Sequence, residues 1–164
     1  MIRPVQLSDA SEIATIYNHY IAHTIVTFEL EPVSPAEMAA RIEDTLNLGF
    51  PWLVVGEDCQ EHAAAGYAYA RPWRPRAAYA KSAETSVYLH PNKVGRGYGS
   101  ALYKELLPLL HERGFHAVIG GVSLPNAASV ALHEKFGFEK VAHFRETGRK
   151  LDRWIDVGYW QLIF

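Results

Sequence analysis

The stretch "NKVGRGYGSALYKELL", from Asn92 to Leu107, places glycines at 95, 97 and 99 and then turns at once leucine-rich. Glycine loses more backbone freedom on folding than any other residue, so alternating glycines mark a backbone that something must approach closely. Followed by a helix, such a turn offers anion binding. The first helical turn leaves amide N–H groups without intrahelical partners, and the macrodipole favours negative charge there. Gly95, Arg96, Gly97, Tyr98, Gly99 and Ser100 are therefore candidates to hold a phosphate, with Lys93 and Arg96 as flanking cations. Two phosphate devices fit poorly. A P-loop needs G-x-x-x-x-G-K-[ST], and nothing here matches it. A Rossmann fingerprint needs G-x-G-x-x-G in the first strand-to-helix turn and an acid about 20 residues on. Here the spacing is G-x-G-x-G, past the middle of the chain, and the next strand ends "GGVS".

A second cluster, "RPWRPRAAY", holds Trp73, Arg74, Arg76 and Tyr79. Arginine forks bind carboxylate and phosphinate groups in a bidentate way, so this segment is a candidate site for an acidic small molecule. His19 and His23 have a zinc-like helical spacing, but "HYIAH" lacks the glutamate of H-E-x-x-H and no third ligand is apparent, so no metal is expected. The single cysteine, Cys59, lies in the polar "GEDCQEH" and reads as a loop residue. It excludes an internal disulfide and fits a reducing cytoplasm.

These groups must be carried by a folded domain, and the chain can supply one. Its 164 residues are 49% hydrophobic and 21% charged, as in ordinary globular proteins, and read as one domain over 1–164. Sixteen Lys and Arg balance eighteen Asp and Glu, which leaves no basic footprint for nucleic acid or an anionic membrane. No apolar run approaches the ~20 residues of a membrane span. "MIRPV" reads as a strand and "SDASEIATIYNHYIAH" as a helix capped by Ser8 or Asp9. "SPAEMAARIEDTL" reads as a second helix, with Ser34 as cap, Pro35 in the first turn and Glu37 completing a capping box. "WLVVG" and "AAAGYAYARPW" flank "EDCQEH" as a hairpin. "AETSVYLH" alternates, with Ala83, Thr85, Val87 and Leu89 on one face and Glu84, Ser86, Tyr88 and His90 on the other. A helix follows from about Ser100 to Arg113, with Leu102, Tyr103, Leu106, Leu109 and Leu110 as its stripe and Pro108 on the polar side. Then come the strand "HAVIGGVS", a helix capped by Asn126 and ended by Gly137, and the strands "FEKVAHFRE" and "WIDVGYWQLIF". The order β-α-α-β-β-β-α-β-α-β-β predicts an α/β (α+β) domain whose mixed sheet has helices on both faces.

The glycine turn resembles the Q/R-x-x-G-x-G/A turn with which the GNAT superfamily of N-acyltransferases holds the pyrophosphate of coenzyme A. Gly97 and Gly99 match its glycines, and Val94 stands at its first position. Five blocks, in order and with the glycine turn among them, resemble the phosphinothricin N-acetyltransferases and the enzymes that acetylate methionine sulfoximine or sulfone: "YNHYIAHTIVTFELEPVSP", "GYAYARPWRPRAAYAKSAETSVYLHP", "GRGYGSALY", "SLPNAASVALHEKFGF" and "GRKLDRWIDVGYWQ". The resemblance covers nearly the whole chain. It implies a mostly antiparallel GNAT-type sheet, a homodimer, and acetyl transfer from acetyl-CoA to the α-amine of a small amino-acid-like acceptor.

What it implies for single residues follows. Glu84 falls on the position of the family's proposed base, and His133 on the helix position that meets the departing thiolate. The backbone of Val87, Tyr88 and Leu89 pairs with the pantetheine arm, and Asn126 contacts it. Arg74, Arg76 and Tyr79 match positions that bind the acceptor's acidic groups, with Trp73 and Phe28 as pocket walls. Other readings stay open: another acceptor (a polyamine, an aminoglycoside or a protein N-terminus), or a noncatalytic acyl-CoA sensor.

Overall fold

The computed structural model describes residues 1–56 and 64–164. Cys59 and the expected "EDCQEH" turn lie outside the described residues. Seven strands form one sheet in the order β1-β2-β3-β4-β5-β7-β6. They are β1 (Ile2–Pro4), β2 (Trp52–Gly56), β3 (Ala64–Pro72), β4 (Ser82–Leu89), β5 (Ala117–Leu124), β6 (Glu139–Lys150) and β7 (Arg153–Ile163). All neighbours pair antiparallel except β4 and β5. Four helices, α1 (Ala10–His23), α2 (Pro35–Asn47), α3 (Tyr98–Glu112) and α4 (Ala127–Lys135), complete the predicted order.

Two apolar cores lie on opposite faces of the sheet. Ile13, Ile16, Tyr17 and Ile21 of α1 and Met38 and Ile42 of α2 pack with Trp52, Val54, Tyr67 and Tyr88. Leu102, Tyr103, Leu106 and Leu110 of α3 pack on the other face with Leu53, Ala68, Ala83, Val118 and Trp160. The pleat explains the division, since successive strand residues point to opposite faces. On β4, Ala83 joins the α3 core and Tyr88 the α1–α2 core, as the alternation predicts.

The helix ends differ in detail from their expected caps. The Ser34 hydroxyl accepts from the Glu37 amide at 3.1 Å, but the Glu37 carboxylate is taken by Arg41 at 2.6 Å. Neither Ser8 nor Asp9 caps α1 through its side chain. The buried Asp9 carboxylate instead accepts from Arg3 at 2.7 Å and from the Gln6 amide at 2.8 Å. The third helix begins at Tyr98, two residues before the expected Ser100, because left-handed Gly97 (φ 83°) already turns the chain into it. It runs through the exposed Pro108 without interruption.

The loop between α1 and α2 is fixed rather than merely long. Asn18 donates to the Val33 carbonyl at 2.9 Å and accepts from the Val33 amide at 2.8 Å. Tyr17 bonds both Thr27 and Glu29 at 2.8 Å. The β6–β7 hairpin reaches over this loop. Buried Lys150 donates to the Thr27 carbonyl at 2.7 Å, and Phe28 lies where a side chain on Gly148 would be. Burial lowers the Lys150 ammonium below its ordinary pKa, because desolvation penalises its charge.

Leu106 is fully buried in the α3 core. Leu106→Ala should therefore cost about 2–5 kcal/mol. A urea unfolding series reads this directly, and a loss below about 1 kcal/mol would contradict the packing described.

Candidate active site

β4 and β5 run side by side for only three register pairs, Ser82–Ala117, Ala83–Val118 and Glu84–Ile119. Each strand continues for five residues beyond that point. Between them opens a cleft of about 270 Å³, lined by Val87, Tyr88 and Leu89 on one side and Gly121, Val122 and Ser123 on the other. Antiparallel pairing with β3 satisfies one edge of β4. The opposite edge, past Glu84, has no neighbouring strand among the described residues; the Leu89 carbonyl accepts from Tyr20 Oη at 2.6 Å, and Val87–Leu89 line the cleft. Such an edge is a template for an extended amide-bearing ligand.

The glycine turn closes one end. Gly95 and Gly97 have φ of 81° and 83°, in the left-handed region, and a Cβ on either would meet nothing within 4 Å. The cradle is open, as a site for a bulky anion must be. The first helical backbone bond runs from Ala101 N to Gly97 O, so the amides of Gly99 and Ser100 precede any intrahelical acceptor. Lys135 of α4 donates to the Ser100 hydroxyl at 3.0 Å and brings a cation to the same helix end. Asn126 Oδ1 caps α4 by accepting from Ser129 N at 3.1 Å, and Asn126 also lines the cleft. These residues suit a diphosphate-bearing ligand with an amide arm.

At the other end stands Glu84. Its Oε2 accepts from Arg71 Nε at 2.8 Å and lies 2.7 Å from Arg71 Nη2. Its Oε1 would lie 3.6 Å from a methyl on Gly121, so it faces the point where the strands part. Thr85, the next residue, projects to the opposite face. Its hydroxyl is 3.0 Å from Tyr103 Oη, which is 3.0 Å from His133 Nε2. His133 Nδ1 donates to the Ser129 carbonyl at 2.7 Å. That bond fixes the neutral tautomer, so Nε2 accepts from Tyr103. Burial lowers the His133 pKa, against the opposing effect of the Ser129 bond. Burial also raises the Tyr103 pKa and keeps the phenol protonated. Gly120 makes room for the ring: a Cβ there would overlap His133.

The acceptor-side candidates are not gathered in one place. Trp73, Arg74 and Tyr79 line a second cavity of about 340 Å³ with Phe144 and Tyr159. Arg74 sits over the Trp73 ring at 4.1 Å. Arg76 is exposed and precedes the short helical turn Ala77–Tyr79. Phe28 is partly exposed against the β6–β7 hairpin, and Glu29 is held by Arg41 at 2.7 and 3.0 Å. Tyr159 joins the two regions, since its ring lies 3.2 Å from the same methyl position on Gly121 that Glu84 faces. Arg71, Tyr103 and Lys135 were not singled out in the sequence. His19 and His23 stand with ring centroids 5.1 Å apart, and no group of three metal-ligating residues occurs among the described residues.

The sequence profile of the acetyltransferase (GNAT) domain matches residues 2–158. A phosphinothricin N-acetyltransferase of Streptomyces coelicolor is 38% identical over 160 residues, covering 98% of this chain and 94% of that protein. The L-methionine sulfoximine/L-methionine sulfone acetyltransferase of Salmonella typhimurium is 34% identical over 161 residues, covering 98% and 92%. The crystal structure of a GNAT superfamily phosphinothricin acetyltransferase from Sinorhizobium meliloti, in complex with AcCoA, superposes with a TM-score of 0.95 at 34% identity. That match covers 100% of this chain and 88% of that one. The chain belongs to the GNAT acetyltransferase family and is an acetyl-CoA-dependent N-acetyltransferase.

The depressed His133 pKa has a consequence for stability. Below the ordinary imidazole value near 6.5 the unfolded chain binds a proton that the folded chain resists. The stabilisation is complete above that value and is lost as the pH falls through it toward the lower folded value. Urea midpoints at pH 7.5 and 5.5 should therefore fall more in the wild type than in His133→Gln. Equal falls would contradict a buried neutral imidazole.

Proposed function

We propose that this chain, as one domain over 1–164, transfers the acetyl group of acetyl-CoA to the α-amine of a small amino-acid analogue of the phosphinothricin, methionine sulfoximine or methionine sulfone type. The observation that carries the reading is Glu84 standing where β4 and β5 part, with Oε1 facing Gly121. An amine placed there meets the thioester end of an arm lying along Val87–Leu89. Acetyl-CoA, the acyl donor, supplies an activated carbonyl and a thiolate leaving group. The chain's residues do the rest.

The acceptor arrives as an ammonium and must lose a proton before it attacks. Glu84 holds the ammonium and takes that proton, directly or through one water. The free amine attacks the carbonyl, the C–S bond breaks, the sulfur leaves with the electron pair, and the second proton that the nitrogen sheds on becoming an amide goes to the thiolate. His133 lines the cleft and is the residue proposed to meet the thiolate: its Nε2, which accepts from Tyr103 in this structure, takes that second proton and passes it to the sulfur. Lys135, Arg96 and the amides of Gly97, Gly99 and Ser100 hold the phosphates, and Asn126 steadies the arm. Arg74, Arg76 and Tyr79 attract the acceptor's side-chain acid, with Trp73 and Phe28 as walls. Acetylation of phosphinothricin would make the protein a herbicide-resistance enzyme. A second copy is proposed to cover Phe144 and Trp154, which are 53% and 60% exposed on the outer strand pair. A reducing cytoplasm suits the single cysteine.

Thiol release with acetyl-CoA and a panel of phosphinothricin, methionine sulfoximine, methionine sulfone, polyamines and free amino acids tests the reading. Turnover of polyamines alone would overturn it. Glu84→Gln should lower kcat roughly 100-fold or more, and unchanged turnover at neutral pH would remove the base. His133→Ala should lower kcat more than it raises KM for acetyl-CoA; a selective rise in KM makes it a binding residue. Replacing Arg74 and Arg76 together by Gln should weaken acidic acceptors about 10- to 100-fold and spare acetyl-CoA. Equal loss of both substrates would count against their assignment.

A further inference from the structure

Arg71 opens the "RPWRPRAAY" segment, and it is the arginine of that segment that touches Glu84. The two are register partners across β3 and β4. Both Arg71 contacts go to one carboxylate oxygen, at 2.8 and 2.7 Å, and leave Oε1 toward the cleft. The Arg71 side chain is 55% exposed and that of Glu84 16%, so the guanidinium stays open to a ligand while the carboxylate is largely enclosed. Arg71 has capacity to spare, since its Nη1 has no hydrogen-bond partner among the described residues. Nor is it drawn elsewhere. Glu29, the nearby acid across the adjoining cavity, is already held by Arg41 and Tyr17. Arg74 lies on Trp73 instead.

A guanidinium set beside the proposed base stands where it can also serve the acceptor. An α-amino acid offers the complement. Its ammonium and carboxylate sit on one carbon, and Glu84 and Arg71 present a carboxylate and a guanidinium side by side. With the ammonium at Glu84 Oε1, the adjacent carboxylate falls on the β3 side, where the free Nη1 edge of Arg71 stands.

We propose that Arg71 is a specificity-determining residue that binds the acceptor's α-carboxylate while holding Glu84 in place, so that the pair selects zwitterionic α-amino acids over simple amines. The inference rests on the α-amine reading above and adds how that amine is recognised. It gives Arg71 a task distinct from that of Arg74 and Arg76, which face the acceptor's side chain.

The test compares methionine sulfone with its α-carboxamide as acceptors for wild type, Arg71→Ala and Arg71→Lys, following thiol release from acetyl-CoA. The wild type should prefer the free acid by about tenfold or more in kcat/KM, the worth of one charge-assisted contact. Arg71→Ala should lose that preference, chiefly through a higher KM for the acid. Its activity on the carboxamide should fall by less than its activity on the acid, since the lost hold on Glu84 affects both acceptors alike and the lost carboxylate contact only the acid, and its KM for acetyl-CoA should stay within about twofold, well under one lost contact. Arg71→Lys should recover part of the preference. An acid-to-amide ratio near one in the wild type, or a ratio unchanged in Arg71→Ala, overturns the inference and leaves the acetyltransferase reading intact. Equal loss on both acceptors assigns Arg71 to supporting Glu84 alone and also overturns it. A wild type that acetylates only polyamines removes both readings together.

Discussion

The constraint on which this structure turns is the separation of two parallel strands. β4 and β5 share three register pairs and then diverge. Buried backbone groups must be paired, and a strand edge left open inside a protein is costly unless water or a ligand satisfies it. The fold meets that demand by keeping the gap as a cleft. Helices on both faces hold the two halves of the sheet, α1 and α2 on one side and α3 on the other. The edge of Val87–Leu89 is where the proposed amide-bearing arm would lie, and the start of α3, with its unpaired amides, is the proposed anion site at the far end.

The pleat divides the chemistry between the two faces of the sheet. Glu84 and Thr85 are neighbours in sequence and point opposite ways. Glu84 meets Arg71 on the α1–α2 side, a partly buried, charged setting that suits the proposed zwitterionic acceptor. Thr85 meets Tyr103 and, through it, His133 on the α3–α4 side, a buried and neutral setting. The two meet only at the gap, beside Gly120 and Gly121. Both glycines matter for space: one admits the imidazole, the other leaves room beside Glu84 Oε1 and Tyr159.

Much of this was legible in the sequence because it depends on local periodicity. The alternation of "AETSVYLH", the stripe of the third helix, the Asn126 cap and the glycine turn are all properties of short windows. The resemblance across five blocks added the acyl-donor chemistry. Arg71 opens the "RPWRPRAAY" segment, but its pairing with Glu84 is set by the register of β3 on β4, which a window around that segment does not contain. Tyr103 read as one more apolar position in a stripe, and only the packed α3–α4 face shows its hydroxyl joined to His133. Lys135 and Lys150 are charges whose partners lie 35 and 123 residues away. The third helix begins early because Gly97 acts as its cap, whereas the sequence reading left all three glycines in the turn.

The account stands or falls on whether the gap between β4 and β5 receives the acyl donor's arm and diphosphate. Amide hydrogen exchange, followed by mass spectrometry with and without coenzyme A, reads this at the backbone itself. The account predicts slowed exchange over 87–89 and 97–100, with β1 and β2 unchanged. Unaltered exchange in both segments at saturating coenzyme A, or protection confined to another part of the sheet, would contradict it.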